Sequence, residues 1–320
     1  MDKSNYVFPT GVHTVLVTPF NEFPNKTSSV DYDSMETWFA MQANSGVAGL
    51  VLLGSTSESS TLKESEKMEI VKKIHNWNMT LQTPKFITVG VGGNNTYENL
   101  KFAKKCVGYC NAFMVTVPHY NKPTQDGIYE HFKYICNNEH ISSFPVIMYN
   151  IPGRTCIDME ARTMVRVFND CANVVAVKEA SGSCERAIEL RNMEPQLKVF
   201  SGDDSLITEM TMIGGVGVIS VASNIIPDIM AELYDYCKKK DYQSVTSLMD
   251  TYCLRNFFSF LFCEPNPTVP KFMLYEMCVF SEYAMRLPLL PLTEQNRHKA
   301  DETLLATTRP QLKKLNTING

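Results

Sequence analysis

Eight short apolar runs, separated by longer stretches of helical periodicity, constrain the fold of this chain more than any other feature. They occupy residues 12–17, 47–53, 85–91, 112–117, 144–149, 173–177, 197–201 and 216–221. Runs that are apolar nearly throughout, rather than alternating with polar residues, suit strands buried on both faces of a parallel sheet. The intervening segments carry helix-start signals, including Asp31 ahead of Tyr-Asp-Ser-Met-Glu, Thr61-Leu-Lys-Glu64 ahead of residues 65–79, and Thr124 ahead of Gln-Asp-Gly-Ile. Strand and helix repeated eight times predict an α/β fold in which the sheet closes, a TIM (β/α)8 barrel. From about residue 241 only helical stretches remain, broken by Glu264-Pro-Asn-Pro267 and Leu287-Pro-Leu-Leu-Pro291. The expected organisation is therefore an N-terminal extension (1–10), a barrel (11–240) and a C-terminal helical appendage (241–320).

Charge and cysteine usage narrow the partners. With 30 basic and 34 acidic residues well mixed and a net charge of −4, the chain has no electrostatic footprint for nucleic acid or an anionic membrane. No apolar stretch approaches the ~18 residues that span a bilayer. The start, Met1-Asp-Lys-Ser-Asn-Tyr6, lacks the order of a signal peptide. A cytoplasmic protein acting on small molecules is expected. The ten cysteines are scattered, the pair Cys106 and Cys110 has no second pair at ligand spacing, and the six histidines form no H-x-x-x-H pattern. Reduced thiols, no metal and no cofactor are expected.

Barrel enzymes place their chemistry at the C-terminal ends of the strands. Here those positions hold Gly54-Ser-Thr-Ser-Glu58, Pro118-His-Tyr120, Tyr149-Asn150, Lys178-Glu179, Ser201-Gly-Asp-Asp204 and Ser220. Glycine, asparagine, aspartate and serine are turn formers in their own right; lysine and tyrosine are not. Lys178 ends the run Asn173-Val-Val-Ala-Val. An ammonium there loses hydration, which makes the free amine available to add to a carbonyl; the competing reading is a lysine that caps a strand and reaches solvent. A keto acid on such an amine needs donors for its carboxylate and a phenol for proton transfer. Ser55, Thr56 and Tyr149 meet those needs, with a relay through Tyr149, Ser55 and Tyr120. A barrel that binds a metabolite without chemistry is the alternative of a different class.

The ordered motifs Val17-Thr-Pro-Phe20, Gly54-Ser-Thr-Ser-Glu58, Pro118-His-Tyr-Asn-Lys-Pro123, Tyr149-Asn-Ile-Pro-Gly-Arg-Thr155, Val177-Lys-Glu-Ala-Ser-Gly182, Ser201-Gly-Asp-Asp204 and Gly217-Val-Ile-Ser-Val221 resemble the pyruvate-dependent class I aldolases and lyases. That family includes dihydrodipicolinate synthase and N-acetylneuraminate lyase. The resemblance runs from about residue 11 to 291. It implies that Lys178 condenses with pyruvate, that Tyr149, Ser55 and Tyr120 relay protons, that Thr56 donates to the pyruvate carboxylate, and that the backbone of Gly202 and Ile219 faces the keto acid. It also implies a homotetramer in which Tyr120 enters the neighbouring subunit's site. Arg154 matches the arginine that holds the carboxylate of aspartate semialdehyde, which favours the synthase branch over a sialic acid lyase or a 2-keto-3-deoxy sugar acid aldolase; a surface ion pair is the other reading of Arg154.

Two departures from the family pattern stand out. Ser57 occupies a position that is usually glycine, which would permit φ > 0 or close backbone approach; serine there must adopt an allowed alternative or carry strain, and a reshaped carboxylate pocket is expected. Ser59, Asn94 and Glu98 match part of the pocket of lysine-inhibited relatives, but His119, Glu64 and Lys67 depart from it. Lysine feedback is therefore not carried over.

Overall fold

The computed structural model describes residue 3, residues 5–22 and residues 28–318, with side chains through residue 308. Residues 1, 2 and 4 of the expected N-terminal extension, and 319 and 320 of the C-terminal region, lie outside the described residues. Ten strands occur among the described residues: β1 Gly11–Val15, β2 Phe20–Glu22, β3 Ser28–Val30, β4 Gly49–Leu52, β5 Phe86–Val91, β6 Ala112–Thr116, β7 Val146–Asn150, β8 Val174–Glu179, β9 Lys198–Ser201 and β10 Gly217–Ser220. Strands β1 and β4 to β10 close into a parallel barrel in the order β1-β10-β9-β8-β7-β6-β5-β4. These are the eight runs read from the sequence, with their ends shifted by a few residues. One shift matters: β8 continues to Glu179, so Lys178 lies within the strand rather than just beyond it.

Two apolar clusters form where the strand faces dictate. Phe8, Val15, Val51, Met114, Ile147, Tyr149, Phe200 and Ile219 belong to a cluster built from alternate barrel positions, and a larger cluster lies between the strands and the surrounding helices. The first cluster includes the N-terminal plug of the barrel. Phe8 stacks on the fully buried His13 ring at 4.7 Å, and Lys198 Nζ donates to the Phe8 carbonyl at 3.0 Å. His13 makes a hydrogen bond with the Pro9 carbonyl at 2.9 Å, and burial pushes its imidazole down to about 4.

Three local outcomes refine the sequence reading. Asp31 and Thr124 cap their helices as expected, accepting from Ser34 N and Gly127 N. Thr61 does not: the helix is Glu64–Met79, Glu66 accepts the Lys63 N–H at 2.8 Å, and the Thr61 hydroxyl donates to the Glu58 carbonyl instead. The antiparallel pair β2–β3 was not anticipated, because three-residue strands carry no periodic signature. In the C-terminal region the helices are Tyr242–Thr251, Leu254–Leu261, Thr268–Glu276 and Glu294–Ile318. Helix Thr268–Glu276 is buried from Thr268 through Leu274. No helix among the described residues is long and apolar enough to cross a membrane.

Candidate active site

The pairing of β7 with β8 sets Tyr149 beside Lys178 and Asn150 beside Glu179. Alternate residues of a strand face opposite ways, and the two pairs do different work. Lys178 is 5% exposed and Tyr149 4%, and the Lys178 ammonium nitrogen lies 4.2 Å from the centre of the Tyr149 ring. Lys178 enters none of the ion pairs among the described residues. Its nitrogen is thus held over a phenol ring at the C-terminal end of the barrel, out of bulk water.

The second pair fixes the strand ends. The Asn150 amide donates to Asp158 Oδ1 at 2.7 Å and to the Glu179 carboxylate at 3.1 and 3.2 Å, while Asn150 Oδ1 accepts the Met159 N–H at 3.0 Å. Arg186 in turn grips Asp158 with both terminal guanidinium nitrogens, Nη2 at 2.8 Å and Nη1 at 3.3 Å. Burial raises the Glu179 carboxyl, against hydrogen bonds from Ser181 and Asn150 that lower it.

A cavity of about 350 Å³ opens over this end of the barrel, and Ser55, Tyr149, Ile151, Arg154, His119 and Asn266 are among its lining residues. Ser55 and Thr56 stand in the 3₁₀ turn Ser55–Ser57 that follows β4. Thr56 is buried and its hydroxyl oxygen accepts a hydrogen bond from the Asn266 amide at 2.9 Å. Arg154 lies in the short helix Pro152–Thr155 immediately beyond β7, exposed and outside the ion pairs among the described residues. Gly202 follows β9; a Cβ there would come within 2.4 Å of the Ala180 Cβ, so the close approach of the two strand ends requires glycine. Ile219, in β10, is 1% exposed and belongs to the same apolar cluster as Tyr149.

Tyr120 does not converge with these residues. Within this single chain its side chain is 82% exposed. The loop after β6 runs through left-handed backbone at Tyr120 (φ 64°) and Lys122 (φ 47°), which leaves the phenol exposed.

At Ser57 the backbone takes the allowed alternative. Left-handed backbone falls on its neighbours Leu53 (φ 59°) and Glu58 (φ 53°), not on Ser57. Ser57 is fully buried and its hydroxyl donates to the Leu16 carbonyl at 2.6 Å. A second cavity of about 350 Å³ adjoins the first, sharing Leu53, Ser59, Lys67, Gly90, Gly92 and Gly93, and is further lined by Glu64, Asn94 and Glu98.

Sequence reasoning did not single out Asn266, Glu58 or Lys271. Glu58 and Lys271 form a salt bridge of 2.6 Å with side chains 1% and 0% exposed. The acid stood inside a quoted motif, but its partner is 213 residues away.

Comparison with known proteins points to one family. Residues 8–307 match the model of the dihydrodipicolinate synthetase family. A 4-hydroxy-tetrahydrodipicolinate synthase of Endomicrobium trichonymphae is 36% identical over 300 residues, 92% of this chain and 97% of that protein. The solved 4-hydroxy-tetrahydrodipicolinate synthase of Methylacidiphilum fumariolicum SolV superposes with a TM-score of 0.87 at 31% identity, covering 95% of this chain and 97% of the other. The dihydrodipicolinate synthase of Acinetobacter baumannii, solved in complex with pyruvate, gives 0.86 at 33% identity, covering 94% and 99%. This chain belongs to the dihydrodipicolinate synthetase family.

Proposed function

We propose that this chain is a Schiff-base lyase that condenses pyruvate with aspartate semialdehyde to give 4-hydroxytetrahydrodipicolinate, with Lys178 as the nucleophile. The observation that carries this reading is the Lys178 nitrogen buried 4.2 Å from the Tyr149 ring centre. The neutral amine adds to the keto carbon of pyruvate, the carbinolamine loses water, and the resulting imine withdraws electrons so that a methyl proton can leave. The enamine attacks the aldehyde carbon; the amino group of the adduct then closes on the imine carbon and displaces Lys178. Tyr149 and Ser55, together at the cavity, carry the protons. Thr56 donates to the pyruvate carboxylate, and the backbone at Gly202 and Ile219 lies along the keto acid. Arg154, in no ion pair among the described residues, is left to hold the carboxylate of the incoming aldehyde.

The outward position of Tyr120 supports a homotetramer in which its phenol completes the relay of a neighbouring subunit. Its substrates are small molecules, and its place of work is the cytoplasm.

Borohydride reduction in the presence of pyruvate tests the nucleophile by mass. Wild type should gain the reduced adduct and Lys178→Ala should not; an unmodified wild type would leave a barrel that only binds. Side-by-side assays with aspartate semialdehyde, N-acetylneuraminate and 2-keto-3-deoxygluconate test the acceptor. Turnover confined to either sugar acid would transfer the assignment to the lyase or aldolase branch.

A further inference from the structure

The Ser55–Ser57 turn that bears the two hydroxyls is held from outside the barrel. Glu58, which ends it in left-handed backbone, points its carboxylate at Lys271 Nζ, 2.6 Å away, with the other oxygen accepting the Arg286 backbone N–H at 3.3 Å. Lys271 also lies 4.0 Å from the centre of the Phe20 ring, and the Arg286 guanidinium covers the same ring at 4.3 Å while pairing with Glu66. Five residues before Lys271, the Asn266 amide donates to Thr56 Oγ1, and its own oxygen Oδ1 is buried without a partner among the described residues.

These contacts have a directional consequence. A threonine hydroxyl has one hydrogen to give. With its oxygen occupied by the Asn266 N–H, the Thr56 O–H is free to donate into the site rather than to the protein. The buried Glu58–Lys271 pair keeps the turn at the height where that donation lands, because a charged carboxylate left without its ammonium in this dry pocket would drag the turn toward other donors.

We propose that Lys271, Glu58 and Asn266 are positioning residues for the keto-acid carboxylate, acting through Thr56, so that the C-terminal helical region is part of the binding apparatus rather than an appendage to it. This rests on the assignment of Thr56 to the pyruvate carboxylate.

The test is the pyruvate dependence of borohydride trapping and of steady-state turnover in Lys271→Met, Asn266→Ala and Asn266→Asp. Lys271→Met should raise the pyruvate KM about tenfold, with kcat held within about threefold, since binding rather than chemistry is lost. Asn266→Asp should be worse than Asn266→Ala, because the new carboxylate captures the Thr56 hydrogen and repels the keto acid. The KM for the aldehyde should move by less than about twofold in all three. Wild type that fails to trap pyruvate would defeat the functional assignment. Wild type that traps normally, with both Asn266 variants showing unchanged pyruvate dependence, or with the alanine variant the worse of the two, would overturn the positioning role even if Lys271→Met does not fold.

Discussion

Ser57 shows what a single side chain contributes to this site. Its hydroxyl donates to the Leu16 carbonyl at 2.6 Å and its carbonyl accepts from the Thr18 hydroxyl at 2.7 Å, so the loop after β4 is tied to the chain just beyond β1. Glycine would lose the first of these bonds and regain backbone freedom in the unfolded chain, each costing about 1 kcal/mol. Ser57→Gly is therefore expected to lower the denaturation free energy by about 1–2 kcal/mol while leaving the pyruvate KM near wild type. A tighter pyruvate KM in the glycine variant would instead mean that serine reshapes the carboxylate pocket. The sequence exposed Lys178 and Tyr149 because a charge or a phenol at a strand end has no turn-forming reason to be there. It could not expose Glu58–Lys271: nothing local distinguishes a buried lysine from a solvated one when its acid lies 213 residues earlier. The left-handed backbone at Tyr120 was not legible from residue types, since neither it nor Lys122 is a glycine.

Strand β10 and the 3₁₀ turn Ala222–Asn224 that follows it are joined by one carboxylate. Asp204 Oδ2 accepts the N–H groups of Val221 and Ala222, both at 2.9 Å, and Oδ1 is buried without a partner among the described residues. Burial pushes this carboxyl up to about 6, against hydrogen bonds from Ser220, Ala222 and Val221 that lower it. With a folded value above the unfolded value of 3.8, the folded chain binds more protons than the unfolded chain in the interval between them. The stabilisation linked to the protonated form is thus complete below about pH 4 and lost as pH rises through about 6. Relative to Asp204→Asn, wild type should lose on the order of 2–3 kcal/mol of unfolding free energy between pH 4 and pH 7, measured by urea denaturation across that range. A difference that does not vary with pH would show that folding leaves the Asp204 carboxyl at its unfolded value. Element existence was readable from periodicity, as with all eight barrel strands and the Asp31 and Thr124 caps. Short irregular devices such as this turn, the β2–β3 pair and the Glu66 cap carry no period and were not.

Closure of the barrel follows from the count of repeats, but the completeness of a site depends on what surrounds the chain. Tyr149 and Ser55 line the cavity at one barrel end and Lys178 pairs beside Tyr149, whereas Tyr120 is 82% exposed. A large exposed aromatic on a sharply turned loop suits a role in another copy of the chain, where its apolar body is covered and its hydroxyl is aimed. If Tyr120 serves the neighbour, two crippled subunits can repair each other. Lys178→Ala provides an intact Tyr120 but no nucleophile; Tyr120→Phe provides the nucleophile but no phenol. In a randomly reassembled equal mixture, half of the pairs are mixed, and each mixed pair has one site with both groups, so activity should recover to about a quarter of wild type under isologous pairing. If the phenol instead folds back to its own barrel, the two defects remain in the same sites and the mixture shows only the average of its parents. Dissociation and reassembly of the two variants, assayed before and after mixing with the acceptor on which wild type turns over, decides between those outcomes, because no loss of stability in either parent can create activity that neither possesses.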